Sequence, residues 1–302
     1  MTTTTTLPTP RRARGTVVGA CAAVSAASIA GVLGLWAVFV STRHGQLVDA
    51  AAVEGAVHGQ TELWRMAERV LDVVSVGAVA VVLVVAMGIA VVRRRWELAV
   101  QVALVMGGAN LTTQVLKYVV LPRPRHGVTT GSVANTLPSG HTTAAASIAV
   151  VLLLVVPARM RPPVAVLGAG YAAATGVSTL VGQWHRPSDV VAAVLVVLAW
   201  TAATCALTAL WPVRRGGVVE GPPPTRRLER GVLATLWALA ATSGALAVTA
   251  LARTWRSVPA VETRTELWAY AGGAFGTVAA CAAAFATALL LRDAVGRRLR
   301  SA

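Results

Sequence analysis

The sequence predicts an all-α membrane protein, a polytopic bundle of about eight transmembrane helices. Three observations carry that prediction. Of 302 residues, 56% are hydrophobic and 13% charged, with a mean hydropathy of +0.67, whereas soluble domains carry roughly 25% charge. The apolar residues gather into runs close to the roughly 20 residues that a helix needs to cross the hydrocarbon core. No segment alternates like the strands of a membrane barrel, so helices must satisfy the backbone in lipid. The same apolar content excludes an intrinsically disordered chain and argues against a water-soluble enzyme.

Residues 1–15 read as a disordered tail, with a Thr2–Thr6 tract followed by Pro8 and Pro10. The first run, Thr16–Val40, follows Arg11, Arg12 and Arg14 as a signal peptide's core would. Its 25 residues exceed such a core and no cleavage site follows, so it is predicted to be a retained span. Val70–Val92, Leu98–Leu121, Thr142–Val156, Val164–Val181 and Val190–Trp211 complete a six-span core over residues 16–211. The fourth and fifth runs are short and are expected to extend through flanking polar residues. Residues 212–231, broken by Gly221 and Pro222–Pro224, form a linker. Beyond it, residues 232–291 hold two further spans, Val232–Leu251 and Leu267–Leu291, and residues 292–302 are a basic tail. The loop Ser41–Arg69 is the longest on its side, with a helical stretch expected near Glu62–Arg69. The loop Ala252–Glu266 is assigned to packing or dimerisation in preference to covering a pocket.

The net charge is +15. With the N-terminus inside, 17 of the 27 basic residues fall in the cytoplasmic segments, as the positive-inside bias requires. Both termini are therefore expected in the cytoplasm. The basic charge reports topology and attraction to anionic membrane lipids, and no nucleic-acid partner is expected. Cys21, Cys205 and Cys281 each lie in an apolar run, without a CxxC pair, and read as small buried hydrophobes.

Polar residues collect on one face. The single lysine, Lys117, ends the third run and is followed by Arg123 and Arg125. These are snorkelling interfacial cations, or together they hold an anion such as phosphate. Pro138-Ser-Gly-His141 opens the fourth run. Ser139 suits an N-cap, Gly140 permits close backbone approach, and the free amides of a helix start attract anions. The plainer alternative is a helix start with an interfacial histidine. His185-Arg-Pro-Ser-Asp189 joins the fifth and sixth runs. Pro187 suits a first helical turn, so His185 and Asp189 bracket a turn in which the carboxylate orients the imidazole. Alternatively, Asp189 only complements the helix dipole. His126, His141 and His185 lack the spacing of a zinc motif. Antiparallel neighbours bring these segments to one end of the bundle.

These residues resemble the type-2 phosphatidic acid phosphatase superfamily, with its pattern K-x6-RP, PSGH and SR-x5-H-x3-D. Pro138–His141 match the second motif, and Ser178, His185 and Asp189 the third, over about Leu98–Trp211. Arg123 follows Lys117 one residue early, so Arg123 or Arg125 takes the family arginine's place. Thr179 stands where the third motif has arginine; a neutral hydroxyl cannot replace a bidentate cation, and Arg125 or Arg186 is a candidate substitute. The resemblance implies a six-helix phosphatase-like core in which His185, oriented by Asp189, attacks phosphorus to form a phosphohistidine. It implies that His141 serves as acid and then base, while Lys117, Arg123, Arg125, Ser139 and Gly140 bind phosphate. No metal or cofactor is implied.

The expectation is thus a plasma-membrane phosphatase that hydrolyses a lipid phosphomonoester or diphosphate at the extracytoplasmic face. Phosphatidic acid, phosphatidylglycerol phosphate and polyprenyl phosphates all fit, and the Ala/Val/Arg-rich usage favours a bacterial cell envelope. A lipid phosphotransferase using the same site, a non-catalytic lipid-phosphate binder, and a transporter or scaffold are the alternatives.

Overall fold

The structure, a computed structural model, describes residues 10–58, 67, 68, 84, 88, 96–130, 132–210, 225–258 and 262–300. Among these, every regular element is helical. Helix α1 (Pro10–Leu35) passes into a π-helical turn at Trp36–Val40. Helix α2 (Arg43–Val57) follows a sharp reversal. Helix α3 is α-helical over Trp96–Val102 and Ala109–Val115, with π-helical stretches at Ala103–Gly108 and Leu116–Val120. Then come α4 (Gly140–Val155), α5 (Arg161–Val181), α6 (Pro187–Leu210), α7 (Arg226–Ser257) and α8 (Thr263–Arg300).

Six segments are long and apolar enough to cross a bilayer: those of α1, α3, α5, α6, α7 and α8. The chain is a multi-pass membrane protein of the all-α class. Helix α4 is apolar but has only 16 residues, about 24 Å of rise. It gains only Gly140 and His141 over the predicted run, whereas α5 extends to 21 residues. The predicted span Val70–Val92 lies outside the described residues except for Val84 and Gly88, both helical.

Several boundaries differ from the sequence reading. Helix α1 begins at Pro10, inside the expected tail. Helix α7 begins at Arg226, inside the expected linker, of which residues 212–224 lie outside the described residues. Helix α8 runs on to Arg300 through the expected basic tail. These extensions are polar continuations that a hydropathy pattern does not register. Arg297 and Glu229, 3.5 Å apart, tie two of them together.

The larger difference is α2. The helical stretch expected at Glu62–Arg69 lies outside the described residues apart from Ala67 and Glu68. The described helix sits earlier in that loop. Thr42 caps it, its Oγ1 accepting from Gly45 N at 3.0 Å. A Cβ at Gly45 would overlap the Val38 carbonyl, and one at Gly55 the Glu266 carbonyl. These glycines let α2 fold back against the end of α1 and pack along the start of α8. Its 15 residues rise about 22 Å, short of a bilayer core.

The core also draws in the final helix pair. The main apolar cluster joins Val102 and Met106 of α3, Leu153 of α4, Ala165 of α5, Val197 of α6, and Phe285 and Leu289 of α8. Helix α8 packs on α2, α5, α6 and α7. It is part of the core and not an appended module. The ends of the α7–α8 connection lean on α2: His44 Nε2 meets the Trp255 carbonyl and His58 meets Glu266, both at 2.9 Å. The three cysteines are buried and unpaired.

Candidate functional site

The C-terminal ends of α3 and α5 and the N-terminal ends of α4 and α6 come together at one end of the bundle. The turn between α5 and α6 carries the central pair. Helix α5 closes at Gly182, and Gln183 takes a left-handed φ of 57°, uncommon for a residue with a side chain. Its Nε2 donates to the Val53 carbonyl of α2 at 2.8 Å, which holds the turn. The amides of Trp184 and His185 then donate to the Thr179 carbonyl at 3.0 and 3.3 Å. Pro187 starts α6, whose first turn brings Asp189 back to face the turn. Asp189 Oδ2 accepts from His185 Nδ1 at 3.2 Å and from the Arg186 amide at 3.0 Å. A carboxylate only accepts, so Nδ1 carries the proton and Nε2 is the basic nitrogen. The carboxylate is 1% exposed and the imidazole 8%.

The start of α4 lies alongside. The Ser139 amide donates to the Asp189 carbonyl at 2.9 Å, tying the two motifs by backbone. Ser139 Oγ caps the helix by accepting from Thr142 N at 3.3 Å, and Thr143 N donates to the Ser139 carbonyl at 3.0 Å. Of the four amides that a helix start leaves without intrahelical partners, those of Gly140 and His141 stay uncommitted. A Cβ at Gly140 would meet no other atom within 4 Å, so the amides border open space. The His141 ring lies 6.1 Å from that of His185 and 5.4 Å from Trp184, centroid to centroid.

The cations come from α3 and the loop after it. Lys117 sits in the π-helical end of α3, and the chain turns extended at Leu121. The shortened Lys-to-Arg spacing thus falls in a stretch that has already left α-helical geometry. Lys117 is electrostatically coupled to Asp189 and to His141. Asn135 pins this corner, donating to the carbonyls of Leu121 and Leu137 at 2.8 and 3.1 Å. Arg123 is half-buried, and its Nη2 has no hydrogen-bond partner among the described residues. Burial and then the neighbouring Arg186 lower its pKa, while Asp49 and Asp189 oppose the shift. Arg125 is exposed.

Thr179 is fully buried and donates to the Gly176 carbonyl at 2.7 Å, so its side chain belongs to its own helix. Arg186, 3% exposed, is the buried cation here. Its guanidinium donates to Thr136 Oγ1 at 2.8 Å and to the carbonyls of Ser132 and Thr130 at 2.6 and 3.3 Å. Its Nε has no partner among the described residues.

Helix α2 braces all of this from one side. Gln46 donates to the Pro124 carbonyl at 2.9 Å, beside Arg123. Glu54 accepts from Thr130 at 2.6 Å. Asp49 accepts from the Ser188 hydroxyl, next to Asp189. Burial, and secondarily the charge of Asp189, push the Asp49 carboxyl up to about 7, against the Ser188 hydrogen bond and Arg186. Sequence reasoning missed Asp49 and Gln46, polar residues in an apolar loop, and gave no role to Asn135 or Ser188, because none of the four is a position of the spaced motif. His126 instead meets the Ser41 carbonyl at 3.0 Å. Among the described residues no three His, Cys, Asp or Glu side chains converge as metal ligands would.

Residues 98–215 match the family model of the PAP2 superfamily. No curated protein and no solved structure matches the chain. The matched segment runs from the start of α3 to just beyond α6 and holds every element that supplies the two histidines, Asp189 and the cations: the chain is a phosphatase-type membrane protein built around a type-2 phosphatidic acid phosphatase superfamily core.

Proposed function

We propose that the chain is a lipid-phosphate phosphatase of the plasma membrane, working at the extracytoplasmic face through a phosphohistidine. The observation that supports this best is the pair of imidazoles 6.1 Å apart, one of them held through Nδ1 by a buried carboxylate. That spacing lets both rings reach one phosphoryl group. His185 Nε2 attacks phosphorus, forming the N–P bond as the ester P–O bond breaks. Protonated His141 gives its proton to the leaving alkoxide. A water then loses a proton to His141, its oxygen bonds to phosphorus, and the N–P bond breaks to release phosphate and free His185. Lys117, Arg123 and the amides of Gly140 and His141 stabilise the equatorial oxygens. Tyr118, Val119 and Trp184, all exposed beside the site, suit a substrate whose tail stays in lipid.

The test is phosphate release by purified protein from phosphatidic acid, phosphatidylglycerol phosphate and polyprenyl diphosphate, with EDTA present and orthovanadate as inhibitor. Release that resists EDTA and yields to vanadate is expected. Transfer of phosphate only to an added alcohol identifies a phosphotransferase, and lipid binding without turnover a non-catalytic binder; each replaces the hydrolase reading.

A further inference from the structure

We propose that Asp49 is a positioning residue of this site. It holds the His185–Asp189 turn through Ser188, and its ionised form weakens oxyanion binding by competing for Arg123 and Arg186. The proposal rests on reading the site as an oxyanion site, and on the following geometry.

Asp49 is 2% exposed and lies on α2, outside the membrane-spanning segments. From α6 it accepts from Ser188, and it interacts electrostatically with Asp189 of α6, Arg186 of the turn and Arg123 of the loop after α3. It also borders a cavity of about 180 Å³ lined by residues of α2, α6, α7, α8 and the end of α1. The walls from α1, α7 and α8 are apolar, with Leu35, Phe39 and Leu251 among them, and the Thr254 hydroxyl there is committed to the Ala250 carbonyl at 3.0 Å. Among the described residues, the charged groups that act on Asp49 are Arg186, Asp189 and Arg123, all of the site.

Two carboxylates thus act on two guanidinium groups, each with a buried nitrogen that has no partner among the described residues. Asp189 must be ionised to orient His185. Asp49 is the adjustable member, because burial beside Asp189 places its titration near neutrality, at about 7. Protonated, it still accepts from Ser188 and leaves the cations to an incoming oxyanion. Ionised, it offsets them. In low-dielectric surroundings a unit charge at such range changes anion affinity by several-fold or more.

Asp49→Asn keeps a carbonyl oxygen for Ser188 and removes the charge; Asp49→Ala removes both. Orthovanadate affinity of the full-length protein in detergent, measured by calorimetry, reads the charge. The wild-type to Asp49→Asn ratio of Kd is expected near one at pH 5.5 and about fivefold by pH 8.5, since vanadate's own protonation cancels in the ratio. A ratio that stays flat across this range overturns the charge effect. Turnover at pH 5.5 reads the positioning. Asp49→Asn is expected within about threefold of wild-type kcat, while Asp49→Ala and Ser188→Ala each lose about tenfold or more. Equal losses in Asp49→Asn and Ser188→Ala overturn the positioning role without reliance on Asp49→Ala, whose folding is least secure. Vanadate binding needs no turnover. A protein with the pH-dependent ratio but no phosphate release from any lipid refutes the hydrolase reading and leaves Asp49 in place.

Discussion

At the end of the bundle away from the site, Arg161 of α5 meets Asp293 of α8 at 3.5 Å, charge against charge between two buried helices. At the site end, Arg186 is equally buried but spends its fork on a threonine hydroxyl and two loop carbonyls. The nearby Asp189 gives its oxygen to His185 and a backbone amide instead. The first arrangement neutralises its charges and ties helices together. The second holds its cation through neutral hydrogen-bond partners and no ion pair among the described residues; Asp189 and, when ionised, Asp49 oppose the charge electrostatically, while Arg123 and Lys117 add to it. Holding an excess of cations in a partly buried place without direct ion pairs is costly and becomes favourable when an anion arrives. The contrast separates a charge cluster that serves assembly from one suited to binding.

The largest expected effect tests the centre of the second cluster. His185→Ala should reduce phosphate release by about 10⁴-fold or more, and Asp189→Asn by about 10²- to 10⁴-fold, both with the helical fold retained by circular dichroism. Next comes the contrast itself. Arg186→Ala should raise KM by about tenfold or more as the loop at residues 130–136 loses its anchor. Arg161→Ala should instead destabilise the protein by about 3 kcal/mol, leaving Asp293 buried without that partner, with KM within about twofold. A matching rise in KM for Arg161→Ala would erase the distinction between the two ends.

These variants also mark what could be read from the chain alone. His141, His185, Asp189 and Lys117 were legible because ionisable groups at the edges of apolar runs stand out against lipid, and their order matched a spaced motif. Helix α2 was not legible. Its Asp49 and Gln46 lie among Ala, Val and Gly in a loop with no long apolar run, and their role arises from contacts with residues 78 and 139 positions away. The polar extensions of α1, α7 and α8 escaped for the same reason: hydropathy marks where lipid begins, whereas a helix continues while its hydrogen bonds and neighbours persist. The substitute for the missing motif arginine could be narrowed to Arg125 or Arg186, of which Arg186 is buried and Arg125 exposed.

A smaller effect tests the first motif's arginine, Arg123 against Arg125. Arg123→Ala should raise KM about tenfold, because a half-buried guanidinium with an uncommitted nitrogen is suited to bind an oxyanion. Arg125→Ala, at an exposed position, should stay within about twofold. A larger rise in KM for Arg125→Ala than for Arg123→Ala would shift the role of the family arginine to Arg125.

The smallest effect concerns Thr179. Its hydroxyl is turned into α5, and its contribution to the site is the carbonyl that receives the amides of Trp184 and His185. Thr179→Val keeps that carbonyl and costs about 1 kcal/mol for one lost hydrogen bond, so kcat/KM should change by no more than about twofold. Restoring the family residue tests the same point from the other direction. Thr179→Arg forces a long cation into a fully buried position, where overpacking costs about 1–3 kcal/mol, and Arg186 already supplies a buried guanidinium nearby. Vanadate affinity should therefore not increase. A gain of tenfold in Thr179→Arg would mean that the arginine's place is vacant, and that Arg186 acts on the loop alone.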